Sequence, residues 1–123
     1  MIKLTKTLNG APERKCSCYL TEYKYCDFTE TIVGVDKRHG RFAEITLLTC
    51  TFCGTKWVHY HAEFESFSRS GRWYRGIIHE LKLKKLTPEN AVEYLESLDW
   101  YIFGGSYFSS TGMYGKGKVQ ADL

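Results

Sequence analysis

Cysteine placement constrains this chain more than any other feature. Four of its five cysteines fall in two tight clusters, Cys16-Ser17-Cys18 and Cys50-Thr51-Phe52-Cys53, with Cys26 between them. The count is odd, and the opening Met1-Ile2-Lys3-Leu4-Thr5-Lys6 lacks the apolar stretch of a secretory leader. Both features argue against a disulfide framework and for a reducing, cytoplasmic setting. Clustered thiols in such a setting mean metal or redox chemistry. Thiolates separated by two residues can turn around one ion, and Gly54, directly after the second pair, lets the backbone fold back over it.

The surrounding pattern is mostly that of strands. With 123 residues the chain suits one domain, 1–123. Residues 29–35 and 41–49 are β-rich and flank the polar turn Asp36-Lys37-Arg38-His39-Gly40, a hairpin signal. A longer hairpin is expected over 56–84, turning at Ser68-Arg69-Ser70-Gly71. A two-residue turn at Ser70-Gly71 would set Val58 opposite Leu83, Tyr60 opposite Leu81, Ala62 opposite His79 and Phe64 opposite Ile77, leaving a wet reverse face. Thr87 as cap, Pro88 at the first position and Glu89 in the first turn predict a helix over about 88–98. Its apolar stripe is Ala91, Tyr94, Leu95 and Leu98. Residues 100–103 read as a short buried strand, and 104–123 as a loosely packed Gly/Tyr-rich tail. The expected fold class is α+β, a mainly antiparallel sheet carrying one helix.

Cys50-x-x-Cys53-Gly54, with a strand pattern on either side, resembles the second knuckle of a zinc ribbon. The resemblance spans roughly residues 16–67 and is to a motif class, not to a particular family. It implies a structural Zn²⁺ whose ligands are Cys16, Cys18, Cys50 and Cys53. Cys26 competes as a ligand, because Cys26 with either Cys16 or Cys18 would also complete four sulfurs. A closed set of four thiolates leaves no coordination position for water, so such an ion stabilises the fold without supplying a reactive hydroxide.

Other chemistries have weaker signatures. A dithiol redox site would need a helix beginning at the Cys-x-x-Cys, whereas residues 54–58 lead into a strand pattern. His59, His61 and Glu63 share one expected strand face, with Glu80 opposite His61; this reads as an exposed face more readily than as a metal site. His79 is expected in the core, and His39 lies in a turn. No nucleophile elbow or phosphate-binding loop is present, so neither catalysis nor a nucleotide cofactor is expected. No apolar run approaches the ~20 residues of a membrane span.

Charge is uneven: residues 69–85 carry a balance of +5 and residues 86–101 a balance of −4. Arg69, Arg72 and Arg75 interleave with Trp73 and Tyr74 at the expected hairpin tip. Such a surface suits phosphate and base stacking, or a protein partner. The expected role is thus a zinc-stapled, non-enzymatic module that binds a protein, with nucleic acid as the alternative partner.

Overall fold

The computed structural model describes residues 16–21, 27–64, 68–108 and 110–122. Among these, six strands form one antiparallel sheet in chain order. They are β1 (Phe28–Asp36), β2 (Ala43–Cys50), β3 (Lys56–Ala62), β4 (Arg72–Ile77), β5 (Tyr101–Gly105) and β6 (Ser110–Gly115). The fold is the expected α+β class, with a zinc-ribbon-like arrangement of hairpins. Strands β1 and β2 pair about a 3₁₀ turn at Arg38–Gly40, as the polar turn residues predict.

The connection between β4 and β5 holds the helical residues. A short helix, α1 (Glu80–Leu83), is followed by a 3₁₀ turn at Pro88–Asn90 that runs into α2 (Ala91–Glu96). Thr87 caps this segment, and Asn90 completes a reciprocal capping box. The Thr87 side chain accepts from the Asn90 N–H, and the Asn90 side chain accepts from the Thr87 N–H.

Three sequence expectations need correction. The second hairpin exists but is shorter, ending at Ile77, and Val58 faces Gly76 where Leu83 was expected, a slip of seven residues. Because seven is odd, the slip exchanges the faces of β4 relative to β3. Residues 80–83, read as strand, are helical, and Leu81 and His79 are exposed. The tail, read as a loose extension, supplies the last residues of β5, all of β6, and a docked segment in which Val119 and Ala121 are buried.

The reason for the slip is that neither face of the sheet is wet throughout. One face packs Ile45, Val58, Tyr60, Tyr74 and Tyr101 against Ala91, Val92 and Leu95 of α2. The other packs Leu48, Cys50, Trp57 and Ile102 against Cys18, Tyr19 and Phe28. Adjacent residues Trp57 and Val58 are both wholly buried, on opposite sides. Simple in–out alternation therefore could not fix the register.

Candidate metal centre

The turn from β2 to β3 forms the first half of the site. The Gly54 N–H donates to the Cys50 carbonyl at 2.9 Å, and the Cys50 N–H donates to the Thr55 carbonyl at 2.9 Å. Gly54 has φ +78°, a conformation that favours glycine, so the residue following the thiol pair is what lets the knuckle close. The backbone N–H groups of Phe52 and Cys53 point at the Cys50 sulfur and favour its thiolate, although burial, the larger effect, still pushes that thiol up. Burial likewise acts against ionisation of Cys53. The Thr55 hydroxyl, 3.1 Å from its sulfur, together with the Thr55 backbone and the neighbouring thiols, outweighs burial and brings Cys53 down to about 7.

The second half is a 3₁₀ turn, Ser17–Tyr19, which lies on the sheet face opposite α2 and places Cys16 and Cys18 over the knuckle. All four Sγ atoms of Cys16, Cys18, Cys50 and Cys53 lie within 4.8 Å of one another. Cys16 approaches Cys50 at 3.7 Å, and Cys18 approaches Cys53 at 3.7 Å. Four sulfurs arranged tetrahedrally at the ~2.3 Å Zn–S distance are separated by ~3.8 Å. A disulfide would instead bring two of them to ~2.05 Å. The donor set and spacing thus fit a tetrahedral thiophilic ion. Among the described residues, this quartet is the one group of His, Cys, Asp and Glu side chains gathered closely enough to hold a metal. Cys26 lies outside the described residues.

The quartet has a supporting shell that the sequence did not reveal. Trp57 Nε1 is buried without a conventional acceptor, and its N–H acts on Cys18 to favour the thiolate. Burial is the stronger influence there and pushes the Cys18 thiol far up; a cation among the sulfurs would remove that penalty. Arg75 donates to the Cys18 carbonyl at 2.7 Å and to the Leu20 carbonyl at 2.6 Å. Its guanidinium also stacks 4.4 Å from the Trp57 ring centre. Tyr114 donates to the Tyr19 carbonyl at 2.7 Å, and the Tyr19 ring packs edge-on to Trp57. The segment bearing Cys16 and Cys18 is therefore pinned to the sheet by side chains of β4 and β6.

These positions reassign the expected partner surface. Arg72 and Arg75 are wholly buried and Tyr74 nearly so, Trp73 is half-buried, and Arg69 is exposed. A guanidinium committed to two carbonyls inside the protein is not available to a phosphate, so Arg75 serves the cysteine site instead of a nucleic acid. The expected His61–Glu80 pairing is absent, because His61 faces Trp73 on β4 and Glu44 on β2. His59 stacks with His61 and with Trp73, and burial, followed by the charges of His61 and Arg75, lowers it to about 3. Strand β3, not a helix, follows the Cys-x-x-Cys knuckle. No helix among the described residues is long and apolar enough to cross a membrane.

Comparison with protein-family models, with curated proteins and with solved structures finds no match.

Proposed function

We propose that the cysteine quartet binds one Zn²⁺ per chain as a structural ion, and that the protein is a non-enzymatic module presented to a protein partner. The convergence of four sulfurs from two distant stretches, in pairs 3.7 Å apart, carries this reading. Zinc held by four thiolates has no open position for water, so its work is to join residues 16–20 to the β2–β3 turn. The knuckle apex offers a contact point: Phe52 is 70% exposed between two ligand residues, where the turn itself makes no demand for an aromatic. A rigid aromatic at low conformational cost is a favourable anchor for a protein interface.

Metal analysis of the purified protein tests the first half. The expected result is one zinc per chain, lost in Cys50→Ser, and a melting temperature that falls by tens of degrees with a strong chelator. Metal-free protein of unchanged stability would refute it. Cys26→Ser is expected to leave the zinc content unchanged, which separates the quartet from the alternative ligand sets.

A further inference from the structure

Residues 117–122 lie against the protein as a bound peptide does. Among the described residues, the backbone–backbone hydrogen bond made by this segment runs within it, from the Ala121 N–H to the Val119 carbonyl. Its ties to the rest of the molecule come from side chains. Tyr101 donates to the carbonyls of Gly117 and Lys118 at 3.1 and 2.9 Å. The Val119 N–H donates to Glu96 at 2.9 Å, and the Gln120 N–H donates to the Tyr74 hydroxyl at 2.8 Å. Arg72 donates to the carbonyls of Gln120 and Asp122 at 2.9 and 3.1 Å. Arg41 grips both oxygens of the Asp122 carboxylate, at 2.7 and 3.0 Å.

Side chains of the segment alternate. Val119 and Ala121 are buried in the face that packs on α2, while Lys118, Gln120 and Asp122 are exposed, Asp122 with its carboxylate held by Arg41. Reading of main-chain groups, two apolar sockets and a bidentate arginine together make a recognition site for an extended peptide. The receiving groups are built to stay in place. Arg72 and Tyr74 are buried in β4, and Arg41 is fixed from behind by Asp36, which is wholly buried and also accepts from Tyr60 at 3.0 Å.

We propose that this groove is a binding site for extended peptides of the pattern Val-x-Ala-Asp, occupied in this structure by the chain's own residues 119–122, and that the partner it fits is the same segment of a second copy. Lys116-Gly117, directly after β6 and with Gly117 at φ +81°, supplies the pivot for exchange between copies. This gives a chemical class to the protein-partner half of the reading above and is independent of the metal half.

The test uses the full chain with a site-specific protease sequence inserted at Lys116, loaded with zinc and cleaved after folding. The expected result is that the severed segment co-elutes with the body in gel filtration and exchanges with added synthetic peptide of residues 116–122, detected by mass. Replacing Asp122 with Ala in the peptide should weaken uptake by about tenfold or more, since it removes a bidentate charge-assisted pair. Ala121→Leu should abolish uptake. The uncut chain at high concentration should show a dimer fraction that added peptide suppresses. If the severed segment is lost and the folded body takes up no peptide, the proposal fails. It also fails if cleavage unfolds the zinc-loaded body, because the segment is then an integral part of the core; zinc content and circular dichroism distinguish that result from failure of the metal reading.

Discussion

Arg75 shows how far a single residue's role depends on its neighbours. In the sequence it is one cation among aromatics; in the fold it is buried beneath Trp57 and holds the two carbonyls that position Cys18. Arg75→Ala should cost about 3 kcal/mol, from two unsatisfied carbonyls and a lost cation–π contact, and should weaken zinc binding in a chelator competition. Arg75→Lys should recover only part of both, because an ammonium cannot bridge two carbonyls while lying flat on an indole. Asp36 gives a pH-dependent counterpart. Burial alone would raise its carboxyl, but the backbone N–H and side chain of Arg38, with Arg41 and Tyr60, hold it below the ordinary 3.8. The folded value lies below the unfolded one, so its contribution is present above about pH 4 and is lost as pH falls through the folded value. Asp36→Asn should therefore flatten the fall in stability below pH 4 while lowering stability at pH 7 by about 3 kcal/mol, because Arg41 loses a buried partner. Urea unfolding of both proteins at one fixed zinc concentration measures this and cancels metal release from the comparison.

At the scale of elements, the close approach of α2 to the sheet depends on Gly76. A Cβ there would collide with the methyl groups of Leu95, in α2, and Leu98, just beyond it, so these side chains rest directly on the β4 backbone. Gly76→Ala should cost about 1–3 kcal/mol by overpacking and should be partly rescued by Leu98→Ala, read from chemical denaturation. Elements with local chemical signals were legible in advance: the first hairpin through Asp36–Gly40, the helical segment through Thr87-Pro88, and the knuckle through Cys50, Cys53 and Gly54. The rest turned on non-local packing. The β3–β4 register was misread because Trp57 and Val58 are buried on opposite faces, so alternation had no wet side to mark. Arg72 and Arg75 were misplaced because most of the carbonyls that receive them lie far away in sequence, at Gln120 and Asp122 for one, beside the nearby Ser70, and at Cys18 and Leu20 for the other. The tail's role was hidden for the same reason: its partners are Tyr74, Glu96, Tyr101 and two arginines, none of them adjacent.

For the molecule as a whole, the two packed faces share the same strands. Strands β2, β3 and β5 each contribute to both, through Ile45 and Leu48, Val58 and Trp57, and Tyr101 and Ile102. Loss of either face therefore exposes the back of the other, and unfolding should be a single transition. Calorimetry should show one peak whose calorimetric and van't Hoff enthalpies agree, and a chelator should move that peak without splitting it. Two resolved peaks would mean that the cysteine face melts alone.

The placement of Trp57 has a practical consequence. Its indole stands against Cys18, with Trp100 at 5.9 Å between ring centres. A coloured ion such as Co²⁺ bound among the four sulfurs would quench their emission, so metal loading of the quartet could be followed optically with no label attached.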